Sequence, residues 1–127
     1  MTAMKTSTLT HLAALATGAL LALAPLAASA HGKLDRASPA AGSTVDAVPD
    51  TLRLTFNEDL EAAFSTIVVA DANGAAVTQD KARVDASAPR VMTVAVPRLA
   101  AGTYTVRWAV MTADAHKTRG TYTFTVK

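Results

Sequence analysis

Gly102-Thr103-Tyr104-Thr105-Val106-Arg107-Trp108-Ala109-Val110-Met111 is the stretch on which the fold turns. Tyr104, Val106, Trp108 and Val110 take every second position, with Thr105, Arg107 and Ala109 between them. Side chains of a strand alternate between its two faces, so this spacing predicts a strand over 103–111, opened by Gly102, with one apolar face in a core. The same period recurs on both sides. Tyr122, Phe124 and Val126 alternate within 121–126, and Leu52, Leu54 and Phe56 alternate with Thr51, Arg53 and Thr55. Residues 65–70 are rich in β-branched side chains and stop at Asp71-Ala72-Asn73-Gly74. Asn-Gly is a turn signal because both residues tolerate positive φ. A further strand at 91–96 is closed by Pro97, and shorter ones are predicted at 33–37, around Val45 and at 77–84. Residues 58–64 have room for one helical turn. About seven short strands at this spacing predict an all-β chain, a single immunoglobulin-like Greek-key β-sandwich.

The first thirty residues follow another pattern. Lys5 precedes an apolar run from Leu12 to Leu26, and the run ends in Ala28-Ser29-Ala30. A basic start, a short apolar centre and an A-x-A end read as a cleavable secretory signal. A spanning helix wants about 20 apolar residues, and this run is shorter and carries Pro25 near its end. The expectation is therefore a signal peptide over 1–30 and one exported domain over 31–127, free of membrane spans and monomeric. Eleven Lys and Arg balance ten acids in that domain, with no basic stripe interleaved with aromatics, which argues against a nucleic-acid partner. Cysteine is absent. In an oxidising compartment the core must hold the fold without disulfides, and any metal site must use nitrogen, oxygen or thioether donors.

After residue 30 the chain has two histidines, His31 and His116. Cleavage before His31 would leave a residue whose α-amine and ring Nδ1 can close a six-membered chelate on one metal ion, and the amine gives up its proton to a metal readily. Asp114-Ala115-His116 adds an oxygen and a second imidazole. If extended, residues two apart share a face, so both could reach one ion. Three nitrogens and one oxygen suit tetragonal copper(II) better than tetrahedral zinc. Against this, an Asp-x-His triplet is also an ordinary solvated turn in which the aspartate bonds backbone amides.

Several stretches resemble the CopC family of periplasmic copper-resistance proteins. His31-Gly32-Lys33-Leu34-Asp35-Arg36-Ala37-Ser38-Pro39-Ala40-Ala41-Gly42 is similar to that family's opening, which begins with histidine and soon runs S-x-P-A-x-G. Leu54-Thr55-Phe56-Asn57-Glu58 is similar to its L-x-F-(S/N)-E, the run 101–108 to its A-G-x-Y-x-V-x-W, and Asp114 to Gly120 to its D-x-H-x-x-x-G. The resemblance implies a cupredoxin-like or immunoglobulin-like sandwich with copper(II) at one end. It implies that His31 supplies amine and imidazole, that Asp114 and His116 complete the set, and that Glu58 lies near it as axial ligand, outer-sphere partner or structural residue. It further implies sequestration or delivery of copper, with an inner-membrane transporter of the CopD type as a partner. Two departures stand out. Lys117 occupies the position where the family usually has proline, and a cation there could weaken copper binding slightly or bond a nearby acid. The region 71–90, where some members carry a methionine-rich copper(I) site, has neither methionine nor histidine. Met92 and Met111 sit on predicted strands and read as core filler.

Two other functions compete. A copper monooxygenase of the lytic polysaccharide type also uses an N-terminal histidine and a second histidine. This chain is small and poor in aromatics for a polysaccharide face, and Asp114 would put a carboxylate where oxygen chemistry needs an open position, so it is expected not to be an enzyme. A metal-free secreted sandwich module is the other. Arg107 and Arg119 are taken as solvated, and Trp108 as a core residue.

Overall fold

The alternation of apolar and polar side chains sorts the chain into two sheets. The structure, a computed structural model, describes residues 32–127; the leader expected at 1–30 and His31 lie outside the described residues. The strands are β1 (Leu34–Ser38), β2 (Thr44–Val45), β3 (Thr51–Phe56), β4 (Thr66–Ala70), β5 (Arg83–Asp85), β6 (Ala88–Ala95), β7 (Gly102–Met111) and β8 (Lys117–Val126). One sheet runs β1-β3-β6-β5 and the other β2-β8-β7-β4. Pairing is antiparallel except where the short β2 lies parallel to the end of β8. Most connections cross between the sheets, as in a Greek-key sandwich. The single helical element among the described residues is a 3-10 turn at Ala62–Phe64, inside the span expected to hold one.

Leu52, Leu54, Phe56, Met92 and Val94 from one sheet meet Ile67, Val69, Val106, Val110 and Phe124 from the other. Burying each of the larger side chains contributes about 1.5–3 kcal/mol. Met92 has no exposed surface, which accords with its reading as core filler, and Met111 at the end of β7 is half-buried. Cross-strand partners Tyr104 and Phe124 stack with centroids 5.6 Å apart. The Tyr104 hydroxyl donates to Ala100 O at 2.7 Å.

Several expectations need correction. Trp108 shares its face with Tyr104, Val106 and Val110 and packs against the core, but is only half-buried. Its ring meets Phe56 edge-on at 5.1 Å. The strand predicted at 77–84 is cut to β5, since Val77 and Thr78 instead bond irregularly to Val69. The turn after β4 takes positive φ at Gly74 and not at Asn73. Asp71 Oδ1 accepts from the amides of Asn73 and Ala75, so an aspartate-anchored turn replaces the expected pair of left-handed residues. β8 begins at Lys117 and not near Thr121, which extends the β7–β8 hairpin toward one end of the sandwich.

Two features of this core predict measurable behaviour. Trp108 pairs with Gly120 across β7 and β8, and a methyl placed on Gly120 would lie 2.5 Å from the indole Cζ2. Gly120→Ala is expected to cost about 1–3 kcal/mol by overpacking, read as a lower urea midpoint with altered tryptophan fluorescence. The Tyr122 hydroxyl is buried without a hydrogen-bond partner among the described residues. Burial pushes its pKa from 10 up to about 12. Above pH 10 the unfolded chain releases this proton while the folded one keeps it, so stability should fall as the pH rises from 10 through about 12. Tyr122→Phe should flatten that part of a pH–stability profile.

Candidate metal centre

The start of β1, the end of β3, the start of β6 and the β7–β8 turn all lie at one end of the sandwich. Thr112 organises this end. It is fully buried between strands, and β-branched side chains pack well there. Its amide donates to His116 O at 2.9 Å, and Ala115 N–H returns to Thr112 O at 2.8 Å. The Thr112 hydroxyl accepts from His116 N–H at 3.2 Å and donates to Asp114 Oδ1. One side chain thus fixes both ends of Asp114-Ala115-His116.

The triplet is not extended, contrary to the expectation from strand alternation. Ala115 has φ 68°, the left-handed region, and the chain reverses there. The reversal still brings the two side chains together: His116 Nδ1 lies 3.0 Å from Asp114 Oδ1, with both about half exposed. An aspartate against one ring nitrogen fixes the imidazole's orientation and turns the other, Nε2, outward. The arrangement matches the way carboxylates hold metal-binding histidines.

Glu58 occupies the strap that leads from β3 to β4. The strap is laced to the turn: Ala113 N–H donates to Asp59 O at 2.9 Å, Glu61 N–H to Met111 O at 2.8 Å, and Leu60 pairs with Thr112 as an isolated bridge. Asp59 in turn meets Arg90 at 3.4 Å, and Leu60 N–H donates to Pro89 O. Glu58 is half-buried at this end. It does not combine with Asp114 and His116 into a metal-binding trio, and among the described residues no three of histidine, cysteine, aspartate or glutamate do so. Lys117 leads into β8 and forms no ion pair among the described residues, so the bond to a nearby acid is absent there.

The N-terminal segment reaches the same place. Gly32 is buried with φ 63°, and its carbonyl accepts the Thr118 hydroxyl at 2.7 Å. A methyl on Gly32 would fall 2.5 Å from Thr118 Oγ1 and 3.3 Å from Thr112 Cγ2, so only glycine fits without displacement. Next along the chain, Lys33 N–H donates to Asn57 Oδ1 and Asn57 N–H to Lys33 O, at 2.8 and 3.0 Å. Gly32, Asn57, Thr112 and Thr118 were not singled out in the sequence. Thr112 carried a faint signal, a threonine two residues before an aspartate in a turn; the others became legible only through pairs of residues far apart in the chain.

Comparison with known proteins adds a family. A model described as the CopC domain matches residues 34–127. Copper resistance protein C of Escherichia coli is 35% identical over 121 residues, spanning 90% of this chain and 95% of that protein. The crystal structure of CopC from Methylosinus trichosporium OB3b superposes with a TM-score of 0.72 at 38% identity, covering 76% of this chain and 94% of that one. PcoC, described as a methionine-rich copper resistance protein from Escherichia coli, gives 0.67 at 33% identity, covering 76% and 99%.

The web around Thr112 makes a direct prediction. Thr112→Val keeps the shape but strips the hydroxyl from His116 N–H and Asp114, and should lower stability by about 1–3 kcal/mol. Thr112→Ser keeps the hydroxyl and should restore the His116 imidazole resonances seen by NMR in the parent, whereas Thr112→Val should shift and broaden them.

Proposed function

This chain belongs to the CopC family, and from that membership we propose that it binds one copper(II) ion in the periplasm, to sequester copper or pass it on. The signal read at 1–30 would be removed on export, making His31 the first residue of the domain 31–127. The observation that carries the proposal is the burial of Gly32 against Thr112 and Thr118, beside the turn that holds Asp114 and His116. A Cα–Cα step is about 3.8 Å, so this reading needs no long reach for a donor one residue before Gly32 to serve the same end of the sandwich.

The chemistry follows from the donors. The His31 amine must lose its proton to bind, which makes binding stronger as the pH rises toward about 8, the ordinary range of an α-amine, and level off above it. The His31 imidazole adds a second nitrogen and His116 Nε2 a third. Asp114 offers an oxygen while its contact at Nδ1 steers His116. Glu58, half-buried on the strap, serves as an axial, outer-sphere or structural carboxylate. These donors favour copper(II), and the affinity order of divalent ions favours copper over zinc. Copper is cargo here and no group is consumed, so the protein is a carrier and not an enzyme. In contrast to the protein described as methionine-rich, this chain has four methionines, of which only Met92 and Met111 follow residue 30. Met92 is locked in the core, which leaves no thioether cluster for copper(I). The resemblance to the family supports a CopD-type membrane transporter as the recipient or source, with the protein acting as a monomer.

Copper(II) titration of the chain starting at His31 should show tight one-to-one binding. The same chain with one extra residue before His31 should bind at least about tenfold more weakly, as should His116→Ala. Equal, weak binding by all three would remove the amine and His116 from the mechanism and overturn the proposal. Supplying reductant and cellulose oligosaccharides to the copper-loaded protein should yield no oxidised sugars.

A further inference from the structure

Strand β8 carries a second feature, independent of copper. The alternation of hydrogen bonds along antiparallel strands fixes which of its backbone groups face outward. Val69 on β4 turns its N–H and carbonyl away from β7, toward Thr78 and Val77. The β4–β7 and β7–β8 registers run without a break, so Trp108 exchanges bonds with Gly120 and Val110 with Thr118. The odd-numbered residues of β8 therefore point their N–H and carbonyl groups away from β7. At one end these groups are used. Thr123 O accepts Gly42 N–H at 2.7 Å, and Thr125 N–H donates to Ser43 O at 2.9 Å. Strand β2 pairs only with Thr125 and Val126. Lys117, Arg119 and Thr121 are exposed, and among the described residues nothing bonds to their outward backbone groups.

Two further observations mark this edge. On the outer face Lys117 and Arg119 form no ion pair among the described residues, and neither β7 nor β8 contains an acid. On the inner face the Trp108 indole lies over Gly120, where a methyl would fall 2.5, 2.7 and 3.0 Å from Cζ2, Cε2 and Nε1. Trp108 is half-buried, and its Nε1 is neither enclosed nor bonded among the described residues. The edge thus has cations on one side and an uncovered ring on the other. Between them runs a free row of backbone donors and acceptors.

An open strand edge is a template for another strand. We infer that β8 accepts, antiparallel along Lys117 to Thr121, an extended segment of a partner protein in which acidic and apolar residues alternate. In antiparallel pairing, the residue that exchanges both bonds with Arg119 also shares its face. A glutamate opposite Arg119 or Lys117 therefore supplies the bonds and the counter-charge together. The residues between point inward, across from Thr118 and Gly120, where an apolar side chain covers the indole that glycine leaves bare. A second copy of β8 fits badly. Centred on Arg119, antiparallel self-pairing sets two arginines directly opposite each other, and like charges there are destabilising. The cations at this edge select against self-association while favouring an acidic strand. The edge begins one residue after His116, so its occupant lies beside the candidate metal centre.

The test uses the protein as its cells produce it, with a chelator present so that copper plays no part. The probe is a blocked heptapeptide of alternating valine and glutamate. Saturable binding is expected, read as a shift in the emission of Trp108, the single tryptophan of the chain. Hydrogen exchange should slow at the Arg119 and Thr121 amides. Two changes to the peptide should each weaken binding at least about tenfold: lysine for glutamate, and N-methylation of the glutamates, which blocks the bonds but keeps the charge. The doubly substituted K117E/R119E protein, shown to be folded by circular dichroism, should prefer the lysine peptide. No saturable binding, equal binding of the acidic and basic peptides, or protection away from β8 would overturn the inference. So would undiminished binding of the N-methylated peptide, which would reduce the contact to charge attraction, or dimerisation through β8 in sedimentation.

Discussion

The hydroxyl of Thr112 is the constraint on which the functional end of this sandwich depends. It is a buried polar group in an apolar setting, where leaving it unpaired costs about 1–3 kcal/mol, and the chain satisfies it by closing a tight turn. His116 N–H, His116 O and Asp114 Oδ1 all gather on this one oxygen. A turn closed in this way has few alternatives, and it holds Asp114 against His116. If the two bind copper as proposed, such preorganisation would lower the cost of ordering them at the moment of binding.

The same residue faces the N-terminal segment, and here packing takes over from hydrogen bonding. Gly32 fits beside the Thr112 methyl and under the Thr118 hydroxyl because it has no side chain. Lys33 and Asn57 then exchange two hydrogen bonds that tie the segment to the end of β3. The strap 57–65 is bonded to the turn by Ala113 and Glu61. Three stretches far apart in sequence are therefore fixed to one another by short-range bonds around a threonine. On the proposed function, a copper carrier built on this plan would need only a free amine at the right place, and removal of the proposed leader would create one.

The strands were legible because their side chains alternate over long runs. Leu52-Leu54-Phe56 and Tyr104-Val106-Val110 leave no other economical way to bury apolar surface, and both sets are buried as expected. Short segments were read less well. Residues 77–84 carry β-branched side chains, yet Val77 and Thr78 find partners on Val69 individually, which a pattern cannot reveal. At the candidate site the donor residues were visible by type, since histidine is rare in this chain. Their geometry was not. Ala115 takes a left-handed φ that its side chain does not advertise, because Thr112 bonds on either side of it hold the reversal. Gly32 and Thr118 carry no chemical signature at all; their importance lies in a contact between residues 86 positions apart.

The account rests on one claim above others: that the N-terminal histidine and the β7–β8 turn share a single ion. Pulsed electron paramagnetic resonance on the copper-loaded protein, with histidine labelled by nitrogen-15, counts the imidazoles bound to copper directly. Two inequivalent imidazoles, one lost in His116→Ala and the other in His31→Ala, is the result this structure leads us to expect. A single imidazole that persists when His116 is replaced would mean that the turn, for all its order, does not hold the metal.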